Sequence, residues 1–138
     1  MRTSDSRRGV TLTELMIVLT ILGVVAGLAI PNYFRTLEVS RSNEARANLN
    51  VIHMGQKIFL LNNNRYWPAG GGTDGTLSNI NSNLNIDVNQ TYYTLSVTSG
   101  AGTGAGATYT ATASRGNTGN KVFTITQTGT ITESGSYG

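Results

Sequence analysis

The sequence predicts an α+β fold in which one long N-terminal helix packs on a small C-terminal antiparallel sheet. Three observations support this class. Residues 15–30 are uncharged and apolar apart from Thr20, and residues 31–63 repeat apolar side chains at helical spacing. Residues 64–138 are instead rich in Gly, Asn, Ser and Thr, with short segments that alternate apolar and polar side chains.

Residues 10–30 form the first half of the predicted helix. At ~1.5 Å rise per residue, about 20 residues span a bilayer core of roughly 30 Å. Because lipid offers the backbone no hydrogen-bond partners, such a segment must be helical. The preceding basic residues, Arg2, Arg7 and Arg8, indicate a cytoplasmic N-terminus and a single membrane pass.

Pro31 interrupts this helix, because proline removes a backbone donor and disfavours helical geometry at the residue before it. We expect a kink at Pro31, not an end, since a helical pattern resumes at once. Residues 31–63 form the amphipathic half of the same helix. The stripe predicted to face the core recurs mostly at spacings of three and four and comprises Leu37, Ala45, Leu49, Ile52, Gln56 and Phe59.

Residues 64–138 form a predicted globular head with a three- to four-stranded antiparallel sheet. Three segments have the alternation of half-buried strands: 91–98 (TYYTLSVT), 108–113 (TYTATA) and 121–127 (KVFTITQ). The Gly-, Ser- and Asn-rich stretches between them are expected to be loops. We expect Trp67, together with Tyr66, to cover the core between helix and sheet.

The composition excludes several kinds of chemistry. The chain has no cysteine, which excludes disulfides and a thiol nucleophile, and its one histidine, His53, has no second ligand at metal-binding spacing. Residues 1–9 carry three positive charges and one negative charge, so removing them lowers the formal charge from +3 to +1. Nucleic-acid binding is therefore not indicated. No residues combine a nucleophile, a base and an oxyanion donor, so we expect neither enzymatic activity nor a cofactor.

The run GVTLTE at positions 9–14 follows a short basic leader and opens the apolar helix. This combination resembles the processing site of a type IV prepilin or of a type II secretion pseudopilin. The resemblance covers the first sixty residues and implies the type IV pilin fold. It also implies that a prepilin peptidase removes residues 1–9 by cleaving after Gly9, and that the new N-terminus, Val10, is N-methylated. Most relatives have phenylalanine at this place, so Val10 departs from the usual pattern.

Glu14 is the one carboxylate within this apolar segment, where an unpaired charge costs several kcal/mol. Cleavage would free the α-amine of Val10 as a positive partner. Since residues four apart are neighbours on a helix, Glu14 could meet its own amine. The resemblance favours the amine of an adjacent subunit, which makes Glu14 a subunit-assembly residue. Gly23 and Gly27 form a GxxxG spacing, which lets helix backbones approach closely.

The resemblance implies a homopolymeric pilin for adhesion, twitching motility or DNA uptake. Such a subunit resides in the inner membrane before assembly and in an extracellular pilus afterwards. The implied partners are the prepilin peptidase/N-methyltransferase, an inner-membrane assembly platform, a cytoplasmic assembly ATPase and minor pilins.

The first alternative is a periplasmic pseudopilin of a type II secretion system. Such proteins usually carry an acidic calcium-binding loop near the C-terminus, whereas residues 114–138 hold one acid, Glu133. The second alternative is a membrane-anchored binding module whose Tyr92, Tyr93 and Tyr109 face a ligand.

Three further interpretations of the sequence have less support from the residues. Arg7 and Arg8 also fit a twin-arginine export signal, but Glu14 would be out of place there and only a poor cleavage site follows. An ordinary membrane anchor with an accidental Glu14 would leave the first residues uncleaved. Residues 89–91, Asn-Gln-Thr, match the N-glycosylation pattern, to which we attach little weight in a bacterial chain.

Overall fold

The computed structural model describes residues 9–116 and 121–135. The predicted leader, apart from Gly9, therefore lies outside the described residues, as do residues 117–120 of one predicted loop. Backbone contacts divide the chain into two units, one ending at Val39 and one beginning at Ser40.

The long helix is confirmed. Helix α1 runs from Leu12 to Asn63, so it begins two residues later than the predicted membrane segment and ends where the sequence predicts. Its end is fixed by Asn64, which adopts the left-handed conformation (φ 55°) and donates its N–H to Leu60 O at 2.8 Å. The kink at Pro31 stays a prediction, since α1 is one helix through that residue.

The first unit exposes its apolar side chains. Every large apolar side chain from Leu12 to Ile30 is more than half exposed. By length and composition, α1 is apolar enough to cross a membrane. Thr20 is accommodated within the helix, because its hydroxyl donates to Met16 O at 2.8 Å. The surface of α1 between Leu12 and Ile30 is therefore almost entirely apolar.

The second unit contains an antiparallel meander. Its strands are adjacent in sequence order, and the central register joins Val97 to Ala111 and Ala111 to Ile125. The elements are β1 (Gly72–Asp74), α2 (Leu77–Leu84), β2 (Thr94–Ser99), β3 (Tyr109–Ser114), β4 (Val122–Thr126) and β5 (Ile131–Ser134).

Within the described residues the sheet has five strands, so the prediction of three to four was too low. The two missed strands, β1 and β5, lie at the edges and bury almost none of their side chains, so they carry no alternating apolar pattern. Helix α2 also lies where the sequence predicted only a polar loop. Leu77, Ile80 and Leu84 follow helical spacing there, a signal that eight residues made too short to recognise.

The core lies between the second half of α1 and one face of the sheet. Ala45, Leu49, Ile52 and Gln56 of the predicted stripe are buried, as is the inward-facing half of β2, β3 and β4. Tyr66 and Trp67 are buried against this core, which confirms their expected role. The loop between β2 and β3 contacts the residue that follows α1, because Gly104 N donates to Asn64 O at 2.8 Å.

Candidate processing and assembly site

The start of α1 is held by a reciprocal pair of residues. Thr11 N donates to Glu14 Oε2 at 2.9 Å, and the Thr11 hydroxyl donates to the same oxygen at 3.0 Å. In return, the Thr11 Oγ1 atom lies 3.2 Å from Glu14 N, which donates to it. This is a capping box, in which the side chains at the first and fourth positions satisfy each other's backbone N–H groups. The sequence signal, Thr-x-x-Glu, was present and was missed.

The capping box determines where the carboxylate of Glu14 lies. The bonds from Thr11 draw it back toward the first turn of α1, next in sequence to Val10. A negative charge there is also favoured by the helix dipole, whose positive end is the N-terminus. The carboxylate is therefore fixed one residue away from the position whose amine cleavage would free.

Gly9 and Val10 flank the peptide bond where the sequence places cleavage. Both are exposed and precede the helix, and Val10 exposes 77% of its surface. A Cβ added to Gly9 would meet nothing within 4 Å. Both residues that flank this bond are therefore accessible.

Gly23 and Gly27 lie on the open surface of α1. A Cβ added at either position would meet nothing within 4 Å, so neither glycine is required by packing inside the chain. Glycine inside a helix costs about 1 kcal/mol relative to alanine. The pair leaves a shallow strip on the helix where another helix backbone can approach.

The three tyrosines of the proposed ligand face do not share a surface, which contradicts that part of the binding-module alternative. Tyr109 is buried in the core, where its hydroxyl contacts His53 Nδ1 and burial raises its pKa. Tyr93 is also buried, with its ring edge-on to Phe123 at 5.5 Å. Tyr92 alone of the three is exposed.

The C-terminal acid, Glu133, is used in an ion pair within the head. Its carboxylate lies 2.5 Å from a guanidinium nitrogen of Arg46 and also contacts Lys121 Nζ. The hydrogen bond from Lys121, with a smaller effect from Arg46, lowers the pKa of Glu133. Within residues 9–116 and 121–135, no three His, Asp or Glu side chains lie together as a metal site requires.

Comparison with known proteins assigns the N-terminal region to a described motif. A family model named the prokaryotic N-terminal methylation motif matches residues 4–30. The type IV major pilin protein PilA of Myxococcus xanthus is 42% identical over 65 residues, which cover 47% of this chain and 30% of that protein.

Type II secretion system core protein G is also similar to this chain. The protein of Escherichia coli is 31% identical over 74 residues, covering 54% of this chain and 51% of that protein. The protein of Pectobacterium carotovorum is 37% identical over 60 residues, covering 44% and 38%. The matched region thus covers between 30% and 51% of the length of these relatives. No solved structure matches.

The prepilin methylation motif and these relatives confirm the family resemblance carried by residues 9–14 and the apolar helix. The chain is homologous to a type IV pilin and to type II secretion core proteins over about half of its own length.

Proposed function

We propose that this protein is the structural subunit of a bacterial type IV pilus-like filament. The observation that carries the proposal is the surface of α1 between Leu12 and Ile30, which is apolar, more than half exposed and led by a single carboxylate. Such a surface needs either lipid or other apolar helices around it. A helix that moves from lipid into a bundle of identical helices exchanges one apolar environment for the other.

Processing creates the second requirement for assembly. Cleavage after Gly9, followed by N-methylation of Val10, creates a positive amine that can pair with the carboxylate of Glu14 on an adjacent subunit. Within the membrane, the two bonds from Thr11 reduce the cost of holding that carboxylate away from water. In the filament, the amine of an adjacent subunit gives Glu14 a charge-assisted bond, which is stronger than a neutral one.

The remaining predicted features follow from this packing. Gly23 and Gly27 allow the apolar helices to approach closely in the filament core, and Pro31 lets α1 bend between its apolar half and the head. Each subunit contacts the next through two different surfaces, so the polymer does not close and grows as a fibre.

The proposed assembly pathway needs other proteins. A prepilin peptidase/N-methyltransferase would process the chain, and an inner-membrane platform with a cytoplasmic ATPase would extract it. Minor pilins would start the fibre. The subunit would thus begin as a single-pass inner-membrane protein and end in an extracellular pilus.

The test combines electron microscopy of sheared surface material with N-terminal sequencing of its main band. We expect a thin fibre whose chains begin at methylated Val10. Glu14→Gln is the sharpest variant, because glutamine keeps the capping box but removes the charge. It should insert in the membrane and be cleaved like the wild type, yet form no filaments. Normal filaments from Glu14→Gln would refute the role of the charge.

A periplasmic pseudopilin of a type II secretion system is the second candidate. The core protein G of Escherichia coli matches 54% of this chain, a larger share than the pilin of Myxococcus xanthus does. Deleting the gene distinguishes the two candidates. Loss of enzyme export in a strain that never shows a surface fibre would favour the pseudopilin, whereas loss of a fibre with normal export would favour the pilin.

A further inference from the structure

The segment 87–91 lies in the connection between α2 and β2 and has no helix or strand of its own. Its side chains alternate between outside and inside. Asp87, Asn89 and Thr91 are exposed, whereas Val88 is buried and Gln90 is half-buried. A period of two is that of an extended chain, so the three exposed side chains point away from the head on one side.

The inward side of this segment is anchored at several points. Asn81 binds the backbone of Val88 twice: Asn81 Nδ2 donates to Val88 O at 3.0 Å, and Asn81 Oδ1 accepts from Val88 N at 3.1 Å. Asn48 Nδ2, on α1, donates to Asn89 O at 2.8 Å. Gln90 Nε2 donates to a backbone carbonyl of β2 at 3.2 Å. The bond that anchors Asn89 uses its backbone carbonyl and therefore does not occupy its side-chain amide.

We propose that Asn89 is an N-glycosylation site, and that its donor is an oligosaccharide carried on a polyprenyl diphosphate. The pattern Asn-x-Ser/Thr occurs once in the sequence, at 89–91. The bacterial form of this acceptor pattern adds an acid two residues before the asparagine, and Asp87 occupies that position. All three recognition residues are exposed in the structure.

Each of these side chains has a separate task in the transfer. The carboxylate of Asp87 can pair with a cation of a membrane oligosaccharyltransferase, and the hydroxyl of Thr91 can hydrogen-bond within its peptide site. Asn89 Nδ2 attacks the anomeric carbon of the first sugar. The bond from that carbon to the diphosphate oxygen breaks, the lipid diphosphate leaves with the electron pair, and the amide proton passes to a base of the transferase.

This inference rests on the proposed function in one respect, namely that the head is exported from the cytoplasm. Lipid-linked oligosaccharides are transferred on the outer face of the inner membrane, where export would place the head. A glycan is bulky and polar, which suits an exposed segment.

The test is mass spectrometry of the full chain purified from its native cells. Chymotrypsin cleaves after Leu84 and Tyr92, which releases the eight-residue peptide NIDVNQTY. We expect this peptide to carry the mass of an oligosaccharide on Asn89. The added mass should be absent in Asn89→Gln and should fall at least tenfold in abundance in Asp87→Asn.

Asn50→Gln is the matched control, because Asn50 is exposed on α1 and lies outside the acceptor pattern. It should keep the glycan at the wild-type level. Protease accessibility of the head in spheroplasts separates the two proposals. An exported head with an unmodified peptide would overturn this inference alone, whereas a head sealed in the cytoplasm would overturn both it and the proposed function. A glycan that persists in Asn89→Gln would also overturn it.

Discussion

Gln56 is a fully buried polar side chain on the core-facing side of α1, and its amide serves the backbone of Trp67 twice. Trp67 N donates to Gln56 Oε1 at 3.0 Å, and Gln56 Nε2 donates to Trp67 O at 2.6 Å. These two bonds tie the chain that follows α1 back onto the helix. Gln56→Met keeps the shape and volume of the side chain but leaves both backbone groups without their partner.

The expected loss of stability follows from the backbone N–H and C=O of Trp67, which both lose their hydrogen-bond partner. A buried backbone group without a partner costs about 1–3 kcal/mol, so the pair costs about 2–6 kcal/mol. Domains of this size are stable by only about 5–15 kcal/mol. Gln56→Met should therefore remove a large part of the free energy of unfolding of the head. At a urea m value of about 1–3 kcal/mol/M, the midpoint should fall by on the order of 2 M.

The assay is urea unfolding of the full chain in detergent micelles, followed by tryptophan fluorescence. Trp67 is the only tryptophan in the sequence, so the signal reports the neighbourhood of the substitution. Lys57→Met introduces the same side chain at the adjacent exposed position, and its free energy of unfolding should stay within about 0.5 kcal/mol of wild type. A Gln56→Met midpoint equal to that of Lys57→Met would show that the two bonds to Trp67 do not stabilise the head.

Three further predictions concern the head. Burial lowers the pKa of His53 below its ordinary 6.5, so neutral His53 stabilises the folded head above pH 6.5, and this stabilisation is lost as the pH falls toward the folded pKa. The Tm of the head should therefore fall with pH in this range, and His53→Gln should reduce the dependence of Tm on pH. A Cβ at Gly55 would lie 2.9 Å from Leu84 Cβ, so Gly55→Val should cost about 1–3 kcal/mol, and an unchanged Tm would contradict this close approach. The hydrogen bond from Lys121 lowers the pKa of Glu133, so the contribution of its carboxylate to stability is complete above pH 4.5 and is lost as the pH falls through the pKa of the folded state. Glu133→Gln should lower the free energy of unfolding at pH 7 by only about 0.2–1 kcal/mol, measured by urea unfolding.

Local patterns were sufficient for the main elements of the fold. A helix or strand with one buried face repeats apolar side chains at its own period, and that repeat is visible without any partner. The stripe through Leu49 and Ile52 predicted the face of α1 that is buried, and the alternation in β2, β3 and β4 predicted the sheet. The edge strands β1 and β5 could not be found in this way, because pairing with a neighbour, and not burial, makes them strands.

The apolar run, the glycine before it and the position of Glu14 are properties of the sequence alone, and they determined the family resemblance and the proposed filament. The tertiary structure decided how the polar groups are used. In the folded chain, Gln56 hydrogen-bonds to the backbone of Trp67, Tyr109 is buried against His53, and Asn89 lies on an exposed segment. The reason is physical: burial periodicity is written along the chain, whereas a hydrogen bond between distant residues depends on where folding brings them.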